Sequence, residues 1–491
     1  MRLMSRPSRQ QRPRITAVSP TAGATSVAVT ADVTATFDQA MNPSTIDTDT
    51  FTLRDSGGAL VPATVSYSSG TRRATLAPNS DLSQGEVYSA KVFGLSSGVK
   101  NVGGKAMAAD YPWSFTTAAA PPAGLVISGW GSTTTGGGNV GDSGVTLYTP
   151  TTYAAFKNAI QASGKRVIRP GGNANFDGGG ETLNVSNPNM TIDGVNFTGS
   201  FKRLNLRFRS GNHILTNLRL RAGDQMIDTG EADVITINPV SGGNWGASLD
   251  RIVIDHCSVL WSNDVVLAIL NHCENITIQH SIVGCGLVEG SNPSSPNGYG
   301  ANVTVINGNP QPNTDYGRRI TFYRNLILHN LRRNVKPERA DLIDYVNNVV
   351  YNFGTFAGES NPRGCNVIGN CFKKGPETTT SRLWFPDGGI PEFANSVWWD
   401  GNIYRTAAGG SFTPTFDFGT MQRSSAYNGG PNNVTVDTMN DSLAAAVVAA
   451  AGPTVVDSID QTLKDNFTNG TGSFYNGQGY AAPNPSWPNP T

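Results

Sequence analysis

At 491 residues the chain is too long for one small module, and it predicts two to four domains at roughly 100–200 residues each. Its 36 Lys and Arg balance 36 Asp and Glu, and charged residues make up only 15%, so no bulk charge field directs it to nucleic acid or a membrane surface. Its 56 glycines and 29 prolines, with abundant Asn, Thr and Ser, favour a β-rich, many-turned protein outside the cytoplasm.

Residues 1–14 hold five arginines (Arg2, Arg6, Arg9, Arg12, Arg14) with no apolar stretch after them, which predicts a basic disordered tail and shows no signal peptide. From 15 to 117, short alternating runs such as VAVTADVTATF and RRATLAP have the spacing of a β-sandwich of about seven strands. AAAPPAG at 118–124 reads as a linker, because small residues and Pro-Pro disfavour a packed continuation. In TTYAAFKNAIQASG, Tyr153, Phe156 and Ile160 stand at helical spacing with Gly164 as the stop.

Beyond that helix, strand-like runs recur at Met190, His213, Asp233, Arg251, Asn275, Val303, Arg319, Leu342 and Asn366. Their separation of 16–28 residues is the period of stacked repeats, none of which buries its own apolar face. A leucine-rich horseshoe would alternate LxxLxL with helices; Ile, Val and Asn between polar loops instead predict a right-handed parallel β-helix over 125–491, an all-β fold. The helix at Tyr153 would cap its open end. Asn217, Asn325, Asn348 and Asn370 follow the apolar runs at corresponding places and are expected to stack in the turns. LAAAVVAAA from Leu443 to Ala451 is too short for the ~20 residues of a membrane span. It predicts a helix capped by Asp441 or Ser442 and stopped at Gly452-Pro453. Five cysteines cannot form a disulfide scaffold; Cys365 and Cys371 are near enough for a local bridge, and buried thiols are the equal alternative.

Two resemblances sharpen this reading. VSPTAGATSVAVTADVTATFDQAMNPSTI with the closing WSFTT at 113–117 resembles the bacterial immunoglobulin-like domain of secreted and surface proteins. From 124 onward, TTTGGGNVGDSGV, RAGDQMIDTGEADVITI, VIDHCSVLWSNDVVLAI, ITIQHSIVGCGLVEG, NGYG, ITFYRNLILHNLRRN and VNNVVYNFG resemble the pectate lyase family in order and spacing. NVIGNCFKKGP and AAAGPTVVDSIDQTLKDNFTNGTG resemble later segments of its bacterial branch. The resemblance implies an extracellular or cell-surface enzyme acting on an acidic polysaccharide, without nucleic-acid partners or membrane insertion, and expected to be a monomer.

Such an enzyme removes the proton beside a uronate carboxylate and expels the glycosidic oxygen from the neighbouring carbon, so it needs a base and a stabiliser of carboxylate charge. Ca2+, a hard cation that takes carboxylate oxygens, suits the second role. By resemblance the base is Arg333 in HNLRRN, an unusual base because arginine has a pKa above about 12. The alternative for Arg332 and Arg333 is to cap carbonyls in a turn. The resemblance assigns calcium to Asp233 in ADVITI and Asp264 in WSNDVVLAI; where a third acid is expected, Val265 and Ala268 stand, which leaves a weak site, one that recruits Asp228 or Glu231, or one that fills only when a substrate carboxylate completes it. The family's lysine has no match in GCGLVEG, while Lys336 and Arg339 are the candidates for contact with a substrate carboxylate. Asp255 and His256 of VIDHC, adjacent in a strand, are expected to point to opposite sides and to play a structural part. His272, His280 and His329 lack metal spacing and read as turn or core residues, and Trp398 and Trp399 as either sugar-stacking or loop-packing groups. Two other readings stand beside the lyase: a non-catalytic β-helix such as an adhesin or viral tail appendage, and a glycoside hydrolase, whose adjacent Asp pair and His-Gly segment are missing.

Overall fold

The computed structural model describes residues 11–24, 27, 29–83, 86–117, 125–223, 233–239, 248–288, 298–304, 317–386 and 394–475. The chain divides into two compact units, 1–120 and 121–491. The 118–124 segment and residues 1–10 of the basic stretch lie outside the described residues.

The first unit is an antiparallel sandwich. One sheet orders Ile15–Ser19, Val33–Phe37, Arg73–Pro78 and Ala63–Ser68; the other orders Phe51–Arg54, Val87–Val92 and Tyr111–Thr116. In Val33–Phe37 the alternation buries Val33, Ala35 and Phe37 against Trp113 and Phe115 of the opposite sheet. Trp113 donates its indole N–H to the Pro20 carbonyl at 3.1 Å, so this buried ring leaves no polar atom unpaired.

The second unit is a parallel β-helix, each coil passing through three sheets. The first sheet runs from Val145–Tyr148 to Val397–Asp400 through ten parallel strands, among them Leu249–Asp255, Cys273–Gln279, Arg318–Tyr323 and Asp341–Val346. A turn leads from each of these into a short strand of the third sheet: Ser258–Leu260, Ile282–Gly284, Leu326–Leu328, Val349–Tyr351, Cys371–Lys373 and Ile403–Arg405. The turn has one residue at positive φ per coil: Asn217, His256, His280, Arg324, Asn347, Gly369 and Gly401.

The next residue in that turn builds the polar ladder. Asn325, Asn348, Asn370 and Asn402 pass their amides from coil to coil, Nδ2 to Oδ1, at 2.9, 3.1 and 2.9 Å. Asn217, expected in this stack, stands one position earlier, in the left-handed column; its Oδ1 accepts from the Thr454 N–H at 3.0 Å and ties down the C-terminal segment instead.

Helix α1 (Tyr153–Gln161) is capped by Thr152 and covers the first coils, its Phe156 ring 4.7 Å from Phe201 and 5.5 Å from Phe176. It ends before the expected stop, at Gln161, because Ala162 already takes an extended backbone. Helix α2 (Asp441–Ala450) is capped by Asn440, whose Oδ1 accepts from the Leu443 N–H at 2.9 Å, rather than by Asp441 or Ser442, which lie inside its first turn. Helix α3 (Ser458–Asn469) ends at Gly470, with φ 71. A buried ion cluster binds α3 to the third sheet: Arg219 meets Asp460 at 3.3 Å, Arg221 meets Asp457 at 2.7 Å, and Ser258 donates to Asp460 at 2.6 Å.

All five cysteines are buried free thiols, which answers the Cys365/Cys371 alternative. Trp399 packs the coil interior, stacked on Phe372 at 5.2 Å and donating to the Tyr404 hydroxyl at 2.8 Å. Among the described residues no helix is long and apolar enough to cross a membrane.

Candidate active site

The outer face of the second sheet carries a lane of side chains, one per coil. Strands Ile235–Ile237, Val265–Leu270, Tyr299–Thr304 and Lys336–Pro337 pair in parallel, with Thr236 opposite Ala268, Ala268 opposite Asn302 and Asn302 opposite Lys336. Ile235, Ile237, Leu267 and Ile269 fill the interior, so strand alternation turns the intervening residues outward. The lane continues through Gly358–Glu359 and Arg382–Phe385, where Glu359 is opposite Phe385. The Glu359 N–H donates to the Val335 carbonyl at 3.1 Å, which brings Glu359 beside Lys336.

Arg333 enters this lane from the turn before Lys336, at φ 57. Its carbonyl accepts from the Ala301 N–H at 2.6 Å, and its guanidinium carbon lies 3.8 Å from the centre of the Tyr299 ring, a cation–π contact. Tyr299 is opposite Val265, and the Val265 N–H donates to Asp233 Oδ1 at 3.3 Å. The backbones at Asp233, Val265, Tyr299 and Arg333 therefore lie on successive coils, and three strand spacings, about 14 Å, separate the first from the last.

Asp233 is buried, and its other oxygen accepts from the Thr236 hydroxyl at 2.8 Å. Asp264, half-buried, immediately precedes Val265, so the two acids come from adjacent coils. Val265 and Ala268 form a buried apolar cluster with Leu270 and the partly buried Tyr299. Asp228 and Glu231 lie outside the described residues, among which no group of three metal-ligating side chains occurs. Asp233 and Asp264 are hard oxygen donors of the kind calcium takes, yet two carboxylates fall short of its six to eight ligands. They fit a metal shared with a ligand's own carboxylates better than a closed protein site.

Lys336 is buried, its Nζ 3.0 Å from Glu338. Arg339 stands past the strand, its N–H donating to the Asn361 carbonyl at 3.1 Å. Three residues of the lane had drawn no role from the sequence, Tyr299, Asn302 and Glu359, and Arg332 only that of capping carbonyls in a turn. Arg332 Nε is 3.6 Å from Glu359, and its guanidinium carbon is 5.2 Å from the Tyr299 ring centre. Asn302 Oδ1, Arg332 Nε, Arg333 Nε and Glu359 Oε2 are buried with no hydrogen-bond partner among the described residues. So many unmet polar atoms along one strip are costly unless a polar ligand or water meets them. Tyr299 and Arg332 sit inside the NGYG and HNLRRN segments, whereas nothing in the sequence around Glu359 marks it.

Of the Asp255–His256 expectation the opposite directions are corrected, and the structural part is kept. The strand ends at Asp255, and His256 has φ 47, so its ring folds back and its Nδ1 lies 2.8 Å from Asp255 Oδ2. Gln279 Nε2 donates to the other oxygen at 2.8 Å, joining coils, and His256 stacks on His280 at 4.9 Å. These groups border a cavity of about 540 Å³ on the first sheet, also lined by Arg169 and Asp193, which are ion-paired at 2.8 Å. Burial, before any charge effect, pushes His280 down to about 4, so it is neutral at pH 7. His329 is fully buried between Asn352 and Asn466.

Sandwich, parallel coil stack and cationic lane define a class: a β-helix protein with an immunoglobulin-like module. Residues 9–117 match the family model described as a bacterial Ig-like domain. The chain is similar to a probable pectate lyase C of Neosartorya fischeri, 29% identical over 177 residues, covering 34% of this chain and 37% of that protein. It is likewise similar to a probable pectate lyase C of Aspergillus flavus, 27% identical over 219 residues, covering 43% of this chain and 48% of that protein. The chain thus spans less than half the length of these curated relatives. Among solved structures, jun a 1, the major allergen from cedar pollen, aligns over 67% of this chain and 93% of its own, at 18% identity and a TM-score of 0.45.

Proposed function

We propose that the second unit is a polysaccharide lyase that cleaves a polyuronate such as pectate by β-elimination, outside the cell or at its surface. The observation that carries this reading is Arg333, with its Nε without a hydrogen bond among the described residues and its guanidinium carbon 3.8 Å from the Tyr299 ring centre, in a lane that also bears Lys336, Arg332 and, three coils away, Asp233. The similarity to proteins named probable pectate lyase C supports the same substrate class.

In the proposed step Arg333, having first given its own proton to solvent, takes the proton from the carbon beside the uronate carboxylate. The electron pair left behind becomes a carbon–carbon double bond as the neighbouring glycosidic oxygen departs with the bond pair and takes a proton from solvent. Lys336 faces the lane as a cation and would orient a substrate carboxylate; Arg339 would meet a more distant one. Stacking on Tyr299 restrains the Arg333 side chain, so less conformational freedom is lost on reaching the reactive pose. Asp233 and Asp264 would hold calcium jointly with the substrate, and the metal would offset the negative charge that grows on the carboxylate.

The test is ultraviolet absorbance of the unsaturated product from polygalacturonate, with and without a chelator. Arg333→Ala is expected to lower kcat by about 10²–10⁴-fold with a small change in KM. Asp264→Asn is expected mainly to raise the calcium requirement. Saturated products, or wild-type turnover by Arg333→Ala, would overturn the proposal.

A further inference from the structure

Two coils beyond Arg333 the lane changes character. Phe356 and Phe385 stack face to face, centroids 4.7 Å apart and planes 10° from parallel, and both rings are partly exposed. Alternation explains why Phe385 faces out: its neighbour Trp384 fills the interior, and the Gly358 opposite has no side chain because a Cβ there would meet the Trp384 ring at 2.3 Å. Phe356 is tied to the reactive coil, since its carbonyl accepts from Asn334 Nδ2 at 3.1 Å, one residue past Arg333.

Charged groups flank the stack in balanced pairs. Arg382 lies 5.2 Å from the Phe385 ring centre and pairs with Asp417 at 3.1 Å. Glu359, opposite Phe385, is only 5% exposed and faces Arg332 at 3.6 Å, with no hydrogen bond to its Oε2 among the described residues. The next residue, Ser360, has φ 102, a backbone state costly for any residue but glycine. Its N–H donates to the Phe385 carbonyl at 2.8 Å and its carbonyl accepts from the Trp384 indole at 3.0 Å, so this unusual turn is held from both sides. The turn holds Glu359 at the edge of the aromatic pair.

We infer that Phe356, Phe385 and Glu359 form a saccharide subsite that takes an uncharged pyranose, such as an esterified uronate or a neutral hexose, at one end of the substrate groove. An aromatic face suits the C–H face of a sugar ring, and a carboxylate oxygen that faces Arg332 at 3.6 Å without a hydrogen bond still has lone pairs for a hydroxyl donor. Among the described residues both flanking arginines have acidic partners, Arg382 with Asp417 and Arg332 with Glu359, so the ring pair attracts a uronate carboxylate less than the lane at Arg333 does. Stacked coils advance by about 4.8 Å, close to the length of one sugar unit, so a chain lying along the lane from Arg333 reaches the pair about two units later.

The inference rests on the lyase reading for the direction of the groove, and it is tested by binding rather than turnover. Full-length protein and its Phe385→Ala variant are titrated calorimetrically with methyl-esterified hexagalacturonate, unesterified hexagalacturonate and digalacturonate. Phe385→Ala is expected to raise Kd for the esterified hexamer roughly tenfold, to affect the unesterified hexamer less, and to leave the dimer, too short to reach the pair from Arg333, unchanged. Phe385→Tyr should restore wild-type affinity, which separates lost stacking from a damaged fold. Equal losses on dimer and hexamer, an unchanged hexamer, or no binding of either hexamer by the wild type overturns the subsite. Platform-dependent binding without an unsaturated product sustains the subsite and refutes the lyase.

Discussion

Asn348→Ala tests whether the Asn ladder carries much of the β-helix's stability. Asn348 is fully buried; its Oδ1 accepts from the Asn325 N–H at 3.0 Å and from Asn325 Nδ2 at 2.9 Å. Its Nδ2 donates to the Phe322 carbonyl at 2.9 Å and to Asn370 Oδ1 at 3.1 Å. Truncation removes all four bonds at once. Asn370 Oδ1 keeps the backbone N–H of residue 348 at 2.8 Å, and Asn325 Nδ2 keeps the Ile278 carbonyl at 2.9 Å, so the Asn325 N–H and the Phe322 carbonyl bear the loss. At about 1–3 kcal/mol for each stranded group, with a further contribution from the small cavity, the cost is about 3–6 kcal/mol. Asn402, at the ladder's half-buried end, is the control: water can replace its partners, and Asn402→Ala should cost about 1 kcal/mol. Thermal unfolding of the full chain by circular dichroism reads the difference, at roughly 1 °C per kcal/mol for a unit of this size. A loss below about 1 kcal/mol for Asn348→Ala, or one equal to that of Asn402→Ala, would refute the reasoning.

Asp344 is buried, which more than its bonds from Asn366 and Asn432 sets its carboxyl, pushing it up to about 6. Below about pH 4 the group is neutral folded and unfolded; as pH rises to about 6 only the unfolded chain ionises freely, so stability falls by about 3 kcal/mol and then levels. Asn at 344 does not titrate, so the stability of Asp344→Asn relative to wild type should improve by that amount between pH 4 and 7; a pH-independent difference in urea midpoints would contradict this. The five thiols are buried, and burial pushes Cys371 up to about 12 and the other four upward too. A thiol-reactive dye should label none in the native protein and all five in denaturant, and rapid native labelling of any one would count against the fold at that site. Asp460→Ala leaves Arg219 and Arg221 buried with Asp457 as their remaining acid in the cluster and should cost about 3–5 kcal/mol, with amide exchange rising first in α3; unchanged exchange there would exclude the ion cluster as its anchor.

Sequence alone determined the architecture, because the signals for it are local. Alternating residues in Val33–Phe37 encode a sandwich strand, the recurring Ile/Val runs encode coils that must stack to bury their faces, and Phe156 at helical spacing encodes a cap on that stack. Matching motifs also marked Arg333, Asp233 and Asp264 as residues worth locating. Which residues meet across coils was decided only by the tertiary structure, since neighbours in the Asn ladder are 23, 22 and 32 residues apart and no fixed period predicts the pairing. Asn217 shows how narrow the margin is: one position earlier in the turn, it takes a left-handed backbone and leaves the ladder. His256 shows the same physics in reverse, for a single positive φ folds its ring onto the Asp255 that alternation would have put on the other side. Glu359 comes beside Lys336 and Phe385 because parallel register, set by the closure of whole coils, places them there. Side-chain direction follows a period of two that local sequence can carry, whereas partnership follows the lengths of the loops between strands, and only the closed coil measures those.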